Sequence, residues 1–150
     1  MSEHRTRITW ARGDVPFGYE TYDRTHHWRF AGGVELDASA TAEFRGRAEL
    51  PNPEEALVAA LSSCHMLTFL AIAARRRLVV ESYEDDAVGH MEKNADGKLA
   101  VTRVELRPRI RFSGEKQPTA EELAHLHEVS HRECFIANSV KTEVSVVSLG

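Results

Sequence analysis

The sequence predicts an α+β domain whose strands pair antiparallel. One long apolar segment carries helix-start signals, and segments with strand patterning and turn residues lie on both sides of it. The chain has 150 residues, of which 42% are hydrophobic, enough for one compact core, so we expect a single domain over 1–150. Its two cysteines are too few for a scaffold built on disulfides.

A β-hairpin is predicted before the long apolar segment. Thr25–Phe30 and Val34–Ala38 have strand composition, and Ala31-Gly32-Gly33 between them suits a tight turn. A shorter strand is expected near Arg7–Ala11. The first third of the chain is therefore expected to form sheet.

The long apolar segment is predicted to be a helix from about residue 53 to about residue 77. Asn52 is a favourable N-cap, and Pro53 fits the first helical position. The two glutamates that follow place negative charge in the first turn, where the helix dipole favours it. The run Ala56–Ala74 also has the length of a membrane span, but polar side chains cluster at its middle, where lipid disfavours them. We therefore predict a helix at the centre of a soluble fold.

Two strands, a second helix and a last strand are predicted after the long helix. Val79–Met91 and Leu99–Phe112 flank a turn-forming stretch. In the second of these strands apolar residues alternate with charged ones, mainly arginines, which indicates one buried and one solvated face. Thr119 and Glu122 have the spacing of a capping box at the start of the second helix, and Thr142–Val147 is the last strand.

Charge and composition disfavour several classes of partner. The net charge is −4, so no surface for nucleic acid or anionic membranes is indicated. The polar N-terminus lacks the pattern of a secretory signal. We therefore expect a cytoplasmic protein without nucleic-acid or membrane partners, in which a disulfide would be transient rather than structural.

One segment of the second helix matches a zinc-binding motif. His127-Glu128-Val129-Ser130-His131 fits the H-E-x-x-H pattern, in which two histidines one helical turn apart hold zinc and the glutamate activates water. A zinc-dependent hydrolase is therefore one alternative. Cys134 and Ala137 stand where the extended pattern requires Gly and His. We favour a chance match with both histidines exposed on a solvent-facing stripe, and we expect no metal and no other cofactor.

The two cysteines lie in motifs that resemble one protein family. Asn52-Pro53-Glu54-Glu55 precedes Ser62-Ser63-Cys64-His65-Met66, and Cys64 comes ten residues after the first of the two glutamates. Cys134 comes 70 residues later and is followed by Ser139-Val140-Lys141-Thr142-Glu143-Val144. In combination these segments resemble the OsmC/Ohr family of peroxide-reducing proteins, over nearly the whole chain.

The resemblance implies a fold, an assembly and a reaction. The fold is the OsmC-like fold, in which antiparallel sheets wrap long central helices in an intertwined homodimer. The reaction is the reduction of organic hydroperoxides, and possible substrates include hydrogen peroxide; an external dithiol is the reductant. Cys64 would attack the peroxide, and Cys134 would convert the resulting sulfenic acid to a disulfide. A non-catalytic ligand-binding or stress-associated module on the same fold is the other alternative.

A thiolate at Cys64 needs a nearby cation, because the apolar helix around it disfavours charge. By resemblance this cation is an arginine held by a glutamate, and Glu54 matches the family's glutamate. Arg24 is the first choice for the arginine, and Arg45 is the alternative. His65 points about 100° away from Cys64 around the helix, so we expect a packing residue or polar core group rather than a base.

The spacing of Glu54 and Cys64 bears on assembly. Ten residues of helix separate them by about 15 Å, which is too far for contact within one chain. If two copies of the helix pack antiparallel about a point near Ala59, Glu54 of one copy approaches Cys64 of the other. We therefore expect the dimer to be a condition of activity.

Overall fold

The computed structural model describes residues 1–149 and shows two compact units, the first spanning Met1–Ala56 and the second beginning at Leu57. Two helices and eight strands follow one another along the chain: β1 (Thr6–Thr9), β2 (His26–Phe30), β3 (Glu35–Ala38), α1 (Pro53–Arg75), β4 (Val79–Asp85), β5 (Val88–Lys93), β6 (Leu99–Leu106), β7 (Pro108–Ser113), α2 (Ala120–Glu133) and β8 (Glu143–Val146). Short 3-10 turns occur at Ala42–Phe44 and Ala137–Ser139. The α+β class is confirmed, and the single domain over 1–150 stays a prediction.

The N-terminal unit contains a three-stranded antiparallel sheet in the order β1-β2-β3. The predicted hairpin is confirmed, with each strand beginning one residue later than expected. Its turn depends on Gly33, which has a φ of 99° and donates its N–H to the carbonyl of Phe30 at 2.9 Å. The first strand lies at Thr6–Thr9, slightly before its predicted position.

Helix α1 begins where the sequence predicts and ends two residues early. The side chain of Asn52 accepts the N–H of Glu55 at 2.9 Å, and the Glu55 carboxylate accepts the N–H of Asn52 at 3.1 Å. This reciprocal pair is a capping box. At the other end Arg77 adopts a left-handed conformation, with a φ of 62°, and the N–H of Leu78 bonds to the carbonyl of Ala73. These contacts end the helix.

One stripe of α1 forms the core of the second unit. Its buried residues recur every four positions: Leu61, His65, Phe69 and Ala73. Leu61 belongs to a cluster with Val104 and Leu106 of β6, and Phe69 belongs to another with Ile110 of β7 and Leu126 of α2. The helix therefore anchors both sheets of this unit.

Each of the two long strands predicted after α1 is divided. The first breaks between Asp85 and Val88, and the second breaks at Arg107. The backbone N–H of Arg107 leaves the ladder and donates to the Asp85 carboxylate at 2.7 Å. Leu106 and Pro108 are both buried, so the alternation of buried and exposed residues continues across the break and conceals it in the sequence. The predicted arginine face is confirmed as exposed.

Strand β8 corrects the expectation of antiparallel pairing. It runs parallel to β6, whereas the other strand pairs within residues 1–149 are antiparallel. The chain passes through β7 and α2 between β6 and β8, and a crossover of this length allows a strand to return in the same direction. The second unit thus holds a β4-β7 pair and a β5-β6-β8 sheet.

Helix α2 begins as predicted. The side chain of Thr119 accepts the N–H of Glu122 at 3.1 Å, which caps the first turn. The helix ends at Glu133, and Cys134 is its C-cap. The second cysteine therefore sits at the point where the chain turns from α2 towards β8.

Candidate two-thiol site

The structure brings the two cysteines together. Cys64 lies in the middle of α1, Cys134 directly follows α2, and both thiols are free. Cys134 is only 1% exposed, whereas Cys64 is partly exposed. Cys64 lies close enough to Cys134 to raise the pKa of its thiol. Two thiols that are far apart in sequence are therefore neighbours in the second unit.

The surroundings of Cys134 favour its protonated form. Burial is the main cause that raises the pKa of this thiol, and the hydrogen bond and charge of Cys64 raise it further. The backbone N–H groups of Ala137 and Ile136 act in the opposite direction, the first by donating to Sγ at 3.4 Å. The turn after α2 thus supplies donors for a thiolate at Cys134 once one forms.

Two further predicted residues share a cavity in the N-terminal unit. Arg24 and Glu54 both line this cavity, which has a volume of about 710 Å³. Much of the remaining lining is apolar or aromatic, including Ile8, Trp10, Phe17, Tyr22, Phe44 and Pro53. The cavity therefore offers one guanidinium and one carboxylate within largely apolar walls.

Backbone carbonyls and aromatic rings hold the Arg24 guanidinium in place. Nη1 donates to the carbonyl of Tyr22 at 2.6 Å, and Nη2 donates to the carbonyl of Tyr19 at 2.7 Å. Cζ lies 3.6 Å from the centroid of the Tyr22 ring. Within residues 1–149 Arg24 and Glu54 share the cavity without forming an ion pair.

Arg45, the alternative arginine, lies outside the lining of this cavity. Its side chain is exposed and pairs with Glu20 at 3.8 Å. The Arg45 Cζ atom also lies 5.6 Å from the centroid of the Tyr19 ring. Of the two candidate arginines, Arg24 is therefore the one that lines a cavity together with Glu54.

Sequence reasoning missed a buried pair of histidines in the second unit. His65 Nε2 and His127 Nδ1 lie 3.0 Å apart, and the rings stack with an interplanar angle of 12°. Phe69 covers His127 with a ring-centroid distance of 4.7 Å. The outer nitrogens, His65 Nδ1 and His127 Nε2, have no hydrogen-bond partner within residues 1–149. The pair connects α1, which carries Cys64, to α2, which leads into Cys134.

Both histidines are neutral near pH 7. Burial lowers the pKa of His65 to about 4, and the charges of His127 and His131 act in the same direction. Burial also lowers the pKa of His127 to about 4, although the Asp85 carboxylate opposes this shift. The prediction of a polar core group at His65 is confirmed. The prediction of an exposed His127 is wrong, because this residue falls on the same helical face as Leu123 and packs inward.

The zinc-motif residues are therefore divided between core and surface. His127 faces His65, while Glu128 and His131 are exposed. Within residues 1–149 no group of three or more His, Cys, Asp or Glu side chains is arranged to hold a metal. The H-E-x-x-H segment thus contributes to helix packing, and nothing in its geometry favours the zinc hydrolase alternative.

The fold and the paired free thiols define an α+β protein with a two-cysteine site. A family model described as OsmC-like protein matches residues 46–148. The chain belongs to the OsmC-like protein family, which confirms the resemblance seen in its motifs. Its fold is therefore a soluble one, and α1, although long and apolar enough to cross a membrane, is a core helix.

Solved structures agree with this assignment. An OsmC-like protein of unknown function from Vibrio cholerae is 47% identical with a TM-score of 0.93, over 99% of this chain and 100% of that one. An organic hydroperoxide resistance protein from Elizabethkingia anophelis gives a TM-score of 0.73 at 18% identity, over 99% and 94% of the two chains. The organic hydroperoxide resistance protein OsmC from Legionella pneumophila gives 0.67 at 15%, over 99% and 96%. The last two share the fold. No match was found among curated proteins.

Proposed function

We propose that this protein reduces organic hydroperoxides, with Cys64 as the attacking thiolate and Cys134 as the resolving thiol. The observation that carries the proposal is the adjacency of the two free thiols, one partly exposed and one buried. The reaction class is supported by structural neighbours named as organic hydroperoxide resistance proteins. Hydrogen peroxide is the smallest substrate that the same chemistry would accept.

The proposed reaction has three balanced steps. The Cys64 thiolate attacks the terminal oxygen of ROOH, so that an S–O bond forms, the O–O bond breaks, and the leaving alkoxide takes up a proton to become an alcohol. The sulfenic acid on Cys64 then condenses with the Cys134 thiol, giving a disulfide and water. An external dithiol reduces this disulfide by thiol–disulfide exchange, becoming a disulfide itself and restoring both thiols.

The environment of Cys134 supports this order of events. In the reduced protein the hydrogen bond and charge of Cys64 help to keep the pKa of Cys134 high. Once Cys64 has become a neutral sulfenic acid, that charge is gone and the N–H of Ala137 still points at the Cys134 sulfur. Cys134 therefore becomes easier to deprotonate only after Cys64 has reacted.

The cavity in the N-terminal unit supports an organic substrate. A volume of about 710 Å³ with largely apolar walls suits a hydroperoxide that carries an alkyl or aryl group. In the proposed site the Arg24 guanidinium stabilises the thiolate and the developing alkoxide, and Glu54 orients the guanidinium. Both residues line the cavity that would receive the organic group.

We propose that the active form is a homodimer with sites shared between chains. Glu54 and Cys64 are about 15 Å apart along α1, so one chain cannot bring them together. The outer face of α1 is exposed and free of charge at Ala59, Ser63 and Leu67, and Leu67 is 63% exposed. Antiparallel pairing of two α1 helices would cover this face and bring Glu54 of one chain to Cys64 of the other. The proposed location is the cytoplasm, where a dithiol reductant would be present.

Thiol titration and mass spectrometry test the reaction. Stoichiometric cumene hydroperoxide should remove two thiols per chain and release one alcohol, with a Cys64–Cys134 disulfide found by mass spectrometry. Cys64→Ser should abolish alcohol formation, whereas Cys134→Ser should allow one turnover and then over-oxidation of Cys64. A protein that binds the hydroperoxide but keeps both thiols would be a ligand-binding module, and the proposal would be wrong.

Mixing two inactive variants tests the shared site. Glu54→Gln and Cys64→Ser chains are each expected to be inactive as homodimers. After joint refolding, a mixed dimer has one intact site only if Glu54 and Cys64 come from different chains. Recovery of activity on mixing therefore supports the proposal, and its absence in dimers of demonstrated mixed composition contradicts it.

A further inference from the structure

The ring of Tyr22 lies directly against the guanidinium of Arg24. We propose that Tyr22 is a positioning residue, whose ring fixes the guanidinium so that it can stabilise the Cys64 thiolate. The inference rests on the proposed function, from which it takes the role of Arg24. Tyr22 itself need not touch the reacting atoms.

The geometry of the contact is that of a cation–π interaction. Arg24 Cζ is 3.6 Å from the Tyr22 ring centroid, well inside the range of about 6 Å over which the ring face attracts a cation. The Tyr19 ring is farther away, at 5.1 Å. Because Arg24 is partly buried, less water competes for the guanidinium than at an exposed site, which strengthens the attraction.

Within residues 1–149 the Arg24 guanidinium has no carboxylate partner, and it keeps hydrogen-bond donors free. Two of its N–H groups donate to the carbonyls of Tyr22 and Tyr19, and one of its faces lies on the Tyr22 ring. A guanidinium has five N–H donors, so others remain for an anion in the cavity that Arg24 lines. The ring therefore orients the cation and leaves its hydrogen-bonding capacity for the site.

The Tyr22 ring is fixed in its turn. The Trp10 ring meets the Tyr22 ring edge to face, with 6.2 Å between the ring centroids and an interplanar angle of 88°. The Phe17 ring also packs against Tyr22, with 5.4 Å between the ring centroids. Trp10 also donates its indole N–H to the carbonyl of Asp23 at 2.7 Å, next to Arg24 in the chain. The aromatic packing thus sets the position of the guanidinium before any substrate enters, which is the arrangement that electrostatic stabilisation requires.

The first test measures the nucleophile directly. The rate of Cys64 alkylation by iodoacetamide is measured as a function of pH in the full-length Cys134→Ser protein, in which Cys64 is the remaining thiol. Arg24→Gln should raise the pH at the midpoint of this profile, and Tyr22→Leu should raise it too. Tyr22→Phe should leave the midpoint unchanged because the ring is kept. In the protein with both cysteines, Tyr22→Leu should also lower kcat/KM for cumene hydroperoxide about tenfold.

A matched control separates positioning from cavity shape. Phe44→Leu removes a ring from the wall of the same cavity, and within residues 1–149 this ring packs on neither the Tyr22 ring nor the guanidinium. It should change KM for a bulky hydroperoxide but leave the alkylation midpoint where it is. A midpoint shift as large as that of Tyr22→Leu would show that any loss of packing has this effect and would overturn the inference.

A second series avoids the risk that Tyr22→Leu fails to fold. Phenylalanine with one, two or three ring fluorines at position 22 keeps the shape of the ring while weakening its negative face. The alkylation midpoint should rise stepwise with the number of fluorines. A midpoint that is unchanged across this series would overturn the inference.

The outcomes distinguish the inference from the proposed function. If wild-type protein turns over hydroperoxide and Arg24→Gln raises the midpoint while the position-22 variants do not, the inference fails and the proposed function stands. If Arg24→Gln leaves the midpoint unchanged, Tyr22 has no catalytic cation to position and the inference fails. If wild-type protein shows no turnover, the proposed function fails, whatever the alkylation profile shows.

Discussion

The buried His65–His127 pair should make the protein sensitive to mild acid. Both imidazoles have a pKa of about 4 in the folded chain, against an ordinary value of about 6.5. Between these values the unfolded chain binds protons that the folded chain excludes. The contribution of the pair to the free energy of unfolding is therefore complete above about pH 6.5 and is lost as the pH falls towards about 4.

The size of the effect follows from the two pKa values. Each histidine can remove up to about 1.4 kcal/mol of unfolding free energy per pH unit within this interval. Between pH 6.5 and pH 4.5 we expect the pair to lose about 3 kcal/mol of unfolding free energy. This is roughly half of what the maximum slope gives for two histidines over two pH units, because water that enters on local opening screens the charge. This is a large part of the stability of a typical domain, about 5–15 kcal/mol.

Urea unfolding at a series of pH values, followed by circular dichroism at the helix band, measures this loss. Wild type is compared with a His65→Leu/His127→Leu double variant and with a His125→Gln control. His125 lies on the exposed face of α2. The double variant should lose markedly less stability than wild type between pH 6.5 and 4.5, whereas His125→Gln should follow wild type. Equal losses in wild type and double variant would refute the reasoning.

Three further substitutions test how the backbone is positioned. A Cβ at Gly46 would lie 1.7 Å from the carbonyl oxygen of Ala40, so Gly46→Ala should destabilise the N-terminal unit by more than about 2 kcal/mol, measured by Trp fluorescence on urea unfolding. A Cβ at Gly89 would lie 2.5 Å from Val58, so Gly89→Ala should lower Tm, and adding Val58→Ala should restore part of the loss. Asn52→Ala removes the cap of α1 and should cost about 1 kcal/mol by the same unfolding assay, whereas Asn52→Asp should be close to neutral.

Local chemistry made the starts of both helices predictable. The caps at Asn52 and Thr119 need only residues within one turn, and both occur as expected. The exposed arginine face of β6 and β7 was also readable, because strand alternation depends on immediate neighbours. The OsmC-like fold was expected because the motifs around Cys64 and Cys134 resemble those of the OsmC/Ohr family, and the family match confirms it.

Features that depend on distant contacts were not predictable. The break at Arg107 is made by Asp85 from another strand, and the parallel pairing of β8 follows from the path of the chain around α2. The position of His127 on the inner face of α2 was compatible with burial. A buried polar side chain needs a hydrogen-bond partner, however, and here that partner is His65, which comes from another helix. The roles of the site residues stay predictions.

The cavity and the thiol pair occupy separate stretches of the chain. Every residue that lines the cavity falls within residues 8–54, whereas both cysteines and the histidine pair come after Leu57. The family model begins at residue 46, so most of the cavity-lining segment precedes the matched region. A chimera that exchanges the first 45 residues with those of a relative would replace most of the cavity wall, including Arg24, and keep both cysteines and the histidine pair. The cavity wall and the thiol pair can therefore vary in sequence independently of each other.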